Sequence, residues 1–268
     1  MTRPSPELSR RPLDADAVTA RLAGRWLVES IAETGSTNAD LLAAAGAGAA
    51  AGTVLVAQFQ TGGRGRLGRS WLSPPGAGLT FSVLLRPAPA ATTWGWLPLL
   101  TGLALARSLG AGAWLKWPND LLFGPDGAKL AGILVQAGGG AAVVGVGVNV
   151  STERAELPIE VATSLALQGF SQLDRAELLV NFLGWFDGLY AGWQAHGGDA
   201  EASGLATGYR RSCATLGHEV SVELGTHTLL GRALDVDRDG RLLVQPAGGR
   251  ALVPVAAGDV THLRGPTR

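Results

Sequence analysis

Residues Phe59 to Trp71 read FQTGGRGRLGRSW, and this stretch with its immediate C-terminal neighbours limits the fold more than any other feature of the chain. Gly63, Gly65 and Gly68 satisfy G-x-G-x-x-G, and a strand-like run, Thr53 to Gln58, precedes them. A dinucleotide-binding fold would need a helix directly after the glycines and an acid about 20 residues further on. Instead Ser73-Pro74-Pro75-Gly76 blocks a helix, and Arg86 stands near where the acid belongs. A P-loop needs G-K-[ST], and this loop has no lysine. Both folds are set aside. What remains is thirteen residues with four glycines, three arginines and no acid. Glycine frees the backbone for tight turns and close approach to a ligand. Arg64, Arg66 and Arg69 bring fixed charge and forked donors suited to phosphate or carboxylate. Such a loop is expected to gain little by folding on itself and most by closing over an anion. The plain alternatives are a solvated surface turn and a nucleic-acid arm.

Composition narrows these. The 268 residues suit one large domain, or a main domain with a small appendage, and at 46% apolar and 16% charged the chain can bury a substantial core. A net charge of zero argues against a general nucleic-acid binder with a broad basic face. The single cysteine, Cys213, cannot form an internal disulfide, which fits a reducing cytoplasm. The N-terminus, MTRPSPELSRRPLD, is polar and proline-broken, unlike a signal peptide. No apolar run has membrane character; Thr92 to Ala106 comes nearest and contains Pro98. The expectation is a cytoplasmic protein binding neither membrane nor nucleic acid. Of 22 basic residues only two are lysine, Lys116 and Lys129. A chain that uses arginine for generic charge is expected to keep lysine where a compact ammonium must approach one oxygen.

Along the chain, residues 1–12 read as a loose tail, and Asp14 or Asp16 as the cap of a short helix. Trp26 to Ile31 reads as a strand. Ser36 or Thr37 is a natural N-cap for an alanine-rich helix. Gly78 to Arg86, Ala113 to Trp117, Leu130 to Gln136 and Ala142 to Val150 read as strands. Trp94 to Leu109 reads as a buried helix beginning near Pro98. Between residues 171 and 195, Leu178, Phe182, Phe186, Tyr190 and Trp193 recur at helical spacing, an aromatic stripe expected to be core. Glu201 to Ala214 reads as a shorter helix. Beyond Gly217, short strands separated by D-G and G-G turns read as a small all-β barrel. The expected architecture is α+β: a mixed sheet with helices on one side in residues 1–215, and a C-terminal β-barrel in 216–268.

Four blocks carry the chemistry: Ser36-Thr37-Asn38, Gln60 with the Gly/Arg loop, Lys116-Trp117-Pro118-Asn119-Asp120, and Lys129-Leu130-Ala131-Gly132-Ile133-Leu134. A fifth, Gly145-Val146-Gly147-Val148-Asn149, ends a strand. In this order and spacing they resemble the biotin–protein ligases. The resemblance implies a class II synthetase-like catalytic fold with an SH3-like C-terminal barrel. It also implies formation of biotinyl-5′-AMP from biotin and ATP, then transfer to a lysine of a biotin carboxyl carrier domain. By that resemblance Ser36, Thr37, Asn38, Gln60, Gly63, Arg64, Gly65 and Gly132 belong to the biotin end. Lys129, Arg66 and Lys116 offset the repulsion between carboxylate and α-phosphate. Arg69, Trp71, Asn119, Asp120 and Asn149 belong to the ATP end, with Asp120 the candidate Mg²⁺ ligand. The loop at 62–70 is expected to be mobile without ligand and ordered over the activated intermediate. The roughly 30 residues before the catalytic part cannot supply the winged helix that some such ligases carry, so no operator binding is expected. Homodimers occur in the family, but no interface is legible. Lipoate or octanoyl ligases and transferases, which share the catalytic fold, are the chief alternative.

Overall fold

The computed structural model describes residues 10–124, 126–225 and 227–263. The loose tail expected at residues 1–12 lies mostly outside them. Where it is described it is tied down: Arg10 pairs with Glu156 and also donates to Ser151 O, and Arg11 O accepts from Arg175.

Seven strands form the first sheet. In chain order they are β1 (Leu27–Thr34), β2 (Thr53–Gln60), β3 (Gly78–Leu85), β4 (Ala113–Lys116), β5 (Asp120–Phe123), β6 (Ala128–Gly138) and β7 (Ala141–Asn149). They lie in the order β1-β2-β3-β7-β6-β5-β4, with β1 parallel to β2 and every other pair antiparallel. Period-two alternation divides the two faces. In β3, Leu79, Phe81, Val83 and Leu85 enter the main core; in β7, Ala142, Val144, Val146 and Val148 do the same. The intervening residues, including Thr80, Ser82, Gly145, Gly147 and Asn149, point the other way.

Among the described residues five helices complete the body: α1 (Ala15–Ala20), α2 (Thr37–Gly46), α3 (Trp96–Leu109), α4 (Arg175–Ala195) and α5 (Leu205–Ser212). Asp14 caps α1 by accepting from Ala17 N–H, and Asp174 caps α4 through Ala176 and Glu177 N–H. The aromatic stripe of α4 is core: Phe182 stacks on Phe186 at 5.5 Å, and Phe186 on Tyr190 at 5.7 Å. Each such fully buried side chain contributes about 1.5–3 kcal/mol of burial free energy. The long helices α3 and α4 share this core with one face of the sheet. Short α2 is the exception and packs on the opposite face through Leu41 and Ala45, beside Leu55, Leu84 and Val143. The rest of that face is left for a ligand.

Several element ends shift by a few residues, and one strand is added. The helix expected from Trp94 starts at Trp96, because a 3₁₀ turn at Ala91–Thr93 occupies the preceding residues. Strand β5 is not legible in the sequence, since four residues after Pro118-Asn119 give too short a pattern to read.

The second sheet contains β8 (Glu219–Glu223), β9 (Thr228–Val236), β10 (Leu242–Pro246), β11 (Val253–Val255) and β12 (Asp259–His262), in the order β11-β10-β9-β8-β12, all antiparallel. Its buried residues include Val220, Val222, Ala233, Val236, Leu242, Val244 and Val260. Among the described residues, no helix is long and apolar enough to cross a membrane.

Candidate active site

A cavity of about 480 Å³ opens over β3, β7 and β6 on the face that the long helices leave free. Glycine makes room for it. Gly132 of β6 pairs with Gly147 of β7. The Trp71 ring lies directly over both: a Cβ on Gly147 would come within 2.7 Å of Trp71 Cζ2, and one on Gly132 within 3.1 Å of Cζ3. A Cβ on Gly145 would collide with the Asn38 amide. Trp71 Nε1 is buried without a hydrogen-bond partner, a donor that a ligand could engage.

One end of the cavity is polar and held from within the sheet. Ser36 precedes α2 as its N-cap, although its side chain makes no capping bond. Thr37 donates from its backbone N–H to Gln60 Oε1 at 2.9 Å, and its hydroxyl lies 3.0 Å from the same oxygen. Ser82 donates to Asn38 Oδ1 at 2.6 Å and lies 2.7 Å from Thr37 Oγ1. Asn38 Nδ2 in turn donates to Leu134 O at 3.1 Å and Gln136 Oε1 at 2.9 Å. The network fixes the side chains before any ligand arrives, which reduces the ordering cost of binding.

The other end is cationic. Five cationic side chains line the cavity, Arg64, Arg66, Arg69, Lys116 and Lys129, against two carboxylates, Asp120 and Asp259. The excess is three positive charges in a chain whose total is zero. Lys129 Nζ donates to Asp120 Oδ1 at 2.7 Å, both side chains being partly buried. Arg69 pairs with Asp259 of β12. Arg66 Nη1 stands 3.5 Å from Asn119 Oδ1. Burial pushes the Arg66 guanidinium below its usual value, opposed by the charges of Asp120 and Asp259. The group remains a cation and is under-compensated, so an arriving anion stabilises it.

The Gly/Arg loop does fold on itself, against the sequence expectation. Arg64 bridges Ser70, Gly65 N–H donates to Arg69 O at 2.6 Å, and Trp71 N–H donates to Gly63 O at 2.8 Å. At its tip Leu67 and Gly68 take φ of 54° and 75°. Backbone hydrogen bonds within the hairpin supply the organisation that charge repulsion between the arginines opposes.

Most of the residues singled out from sequence meet here. Ser36, Thr37, Asn38, Gln60, Arg64, Gly65, Arg66, Arg69, Trp71, Lys116, Asn119, Asp120, Lys129, Gly132 and Asn149 all line the cavity. Gly63 does not; it sits behind the wall, where a Cβ would strike Trp71 O and Gln60 Nε2. Asn149 is buried and donates to Thr163 O at 2.9 Å, tying the 150–165 segment to the floor. Sequence reading missed Thr80, Pro158 and Ile159 and the C-terminal residues Gly258, Asp259 and Val260, and it singled out the block holding Gly145 and Gly147 without giving those two a role; all are in the lining. The G-V-G-V-N alternation was a usable signal for the two β7 glycines. Nothing local marked Asp259. No group of three or more His, Cys, Asp or Glu side chains that could hold a metal occurs among the described residues.

This sheet with its glycine floor and cation cluster falls in a known class. Residues 34–153 match the biotin/lipoate A/B protein ligase family, and residues 215–263 match the biotin protein ligase C-terminal domain. Over 269 aligned residues the chain is 40% identical to a biotin–[acetyl-CoA-carboxylase] ligase of Mycobacterium tuberculosis, covering 95% of this chain and 97% of that one. It is 32% identical to a bifunctional ligase/repressor of Bacillus spizizenii, over 74% of this chain and 63% of the relative. A biotin protein ligase from Aquifex aeolicus, solved in complex with biotin and ATP, superposes with a TM-score of 0.70 at 29% identity, over 89% of this chain and 99% of that one. The chain therefore belongs to the biotin protein ligase family.

Proposed function

We propose that this protein activates biotin with ATP as biotinyl-5′-AMP and transfers the biotinyl group to a lysine of a biotin carboxyl carrier domain of a biotin-dependent carboxylase. The observation that carries the proposal is the excess of three positive charges in one cavity of an otherwise neutral chain. Two anions, a carboxylate and an α-phosphate, repel each other on approach, and fixed cations at their junction lower that barrier. The kinship with biotin ligases favours biotin over the lipoate alternative.

In this reading the Ser36-Thr37-Asn38-Gln60 end takes the ureido ring, with Arg64, Gly65 and Gly132 beside it and Gly63 behind the wall; the glycine floor takes the apolar rings and tail, and Trp71, which covers that floor, serves the adenine side. Lys129 and Arg66 hold the carboxylate against the α-phosphate. Lys116, Arg69, Asn119 and Asn149 serve the nucleotide. The carboxylate oxygen of biotin attacks the α-phosphorus, an O–P bond forms, and the bond to pyrophosphate breaks. The carrier's neutral lysine amine then attacks the acyl carbon, loses a proton, and AMP leaves. Before substrates arrive, Asp120 holds Lys129 and Asp259 holds Arg69; both cations exchange these partners for substrate oxygens. A single carboxylate, Asp120, fits Mg²⁺, which binds through one or two carboxylates plus substrate phosphates. Such an ion would supply charge neutralisation of the triphosphate. We take residues 1–215 as the catalytic domain and 216–268 as a separate unit; the second sheet, built wholly from residues 219–262, supports this division.

The test is incubation with ATP, Mg²⁺ and either biotin or lipoate, followed by mass detection of the acyl-AMP. A streptavidin blot after adding a biotin carrier domain reads the transfer. Biotinyl-AMP and a biotinylated carrier are expected; lipoyl-AMP alone would overturn the reading.

A further inference from the structure

The turn between β4 and β5 brings Lys116 and Asn119 to the nucleotide end of the cavity, yet its own support comes from behind. Trp117 is buried, and its backbone N–H donates to Thr215 Oγ1 at 3.0 Å. Its indole N–H donates to Gly240 O at 3.1 Å, in the turn between β9 and β10. Thr215 is itself fully buried, and its hydroxyl lies 3.0 Å from Nε2 of His262, on β12. Beside it, Ala214 N–H donates to Leu115 O at 2.8 Å. The turn is thus held from behind at two points, by Thr215 and by Gly240 of the C-terminal unit, and β4 just before it is held at Leu115.

That unit is itself fixed to the body. Trp96 Nε1, at the start of α3, donates to Arg238 O at 2.9 Å. Gly95 and Gly240 meet backbone to backbone: a Cβ on Gly240 would lie 2.6 Å from Gly95 O, and one on Gly95 would collide with Asp239 O. Neither partner can slide without breaking close contact. On the cavity side, Asn119 Nδ2 donates to Ile133 O at 3.0 Å, and its Oδ1 faces Arg66. The turn is therefore clamped between the sheet in front and the C-terminal unit behind.

We propose that Thr215 is a positioning residue for the nucleotide step, acting through the buried relay His262–Thr215–Trp117. The proposal rests on the reading of Lys116 and Asn119 as nucleotide-facing. A threonine hydroxyl has one proton and two lone pairs. Engaged by His262 on one side, it is held with a lone pair toward Trp117 N–H. His262 suits this task. Burial, with smaller contributions from Lys116 and His218, lowers its pKa to about 4, so the ring is neutral at neutral pH and adds no charge beside Lys116. Positioning of this kind acts on how firmly ATP is held, since Lys116 or Asn119 moved out of hydrogen-bond reach loses its contact with the nucleotide.

The test is biotin-dependent ATP–pyrophosphate exchange by the full chain. Thr215→Val keeps the shape but leaves Trp117 N–H buried and unpaired. The KM for ATP is expected to rise about tenfold while the KM for biotin stays within about twofold, because the biotin end hangs on Gln60 and Ser82 instead. Thr215→Ser restores the hydroxyl and is expected to restore the KM for ATP. His262→Phe keeps the stacked ring against His218 but frees the hydroxyl, and is expected to shift the KM for ATP about threefold in the same direction. His262→Phe decides the matter if Thr215→Val does not fold. An unchanged KM for ATP in the folded variants, or equal losses toward ATP and biotin, would overturn the relay. No exchange by the unaltered enzyme would sink the functional reading itself.

Discussion

The glycines of β6 and β7 line the cavity and those of the 62–68 loop belong to the hairpin beside it, and the two sets are glycine for different reasons. On the floor, Gly132, Gly145 and Gly147 are crowded: an added methyl group meets Trp71 or Asn38. At the loop tip, Gly68 has φ of 75° and nothing within 4 Å of a would-be Cβ. The floor thus forbids extra atoms, and the tip forbids a different backbone. Gly63 belongs with the floor despite its place in the loop, since a Cβ there would strike Trp71 O. Sequence spacing groups these residues by motif; the structure regroups them by what each must leave empty.

Substitutions probe that difference, beginning with the floor. Gly147→Ala should displace Trp71 and lower kcat/KM for biotin by about a hundredfold or more, in line with the cost of overpacking a fitted site. Exchange kinetics would read it, and near-normal activity would show that the floor has slack. Lys129→Arg keeps the charge but not the point-like ammonium. Pyrophosphate release should fall about a hundredfold, and a near-normal rate would mean that any cation serves beside Asp120. Arg66→Gly acts on the cover instead. Adenylation should persist while biotinyl-AMP escapes about tenfold faster; an unchanged leak, measured by dilution into hydroxylamine, would remove Arg66 from retention. Gly68→Ala should be mildest, because left-handed backbone costs a non-glycine residue only about 1–2 kcal/mol. A loss of no more than about tenfold, confined to retention, is expected, and a floor-sized loss would erase the distinction between the two sets.

Much of this is legible in the chain without its fold. The motif blocks name most of the lining, and the proline-glycine run after the loop correctly excludes a dinucleotide fold. The aromatic period of α4 correctly marks core. What escapes shares one physical cause, distance along the chain. Ser82 and Gln136 organise Asn38 from strands 44 and 98 residues away. Asp259 reaches Arg69 across 190 residues. No local pattern encodes such partners, because they depend on which strands lie side by side. The self-pairing of the Gly/Arg loop escapes for another reason: residue type signals repulsion, whereas backbone hydrogen bonds decide the shape.

The concentration of positive charge in the cavity also governs how the molecule meets other anions. Because the whole chain sums to zero, the surface away from the cavity carries a compensating negative surplus. Beyond about one Debye length, ~8 Å in physiological salt, charges on that outer surface are largely screened from the cavity. A nucleotide is small enough to pass inside, where the field reverses. The attraction for a small anion is therefore set by where the charges sit and not by how many there are.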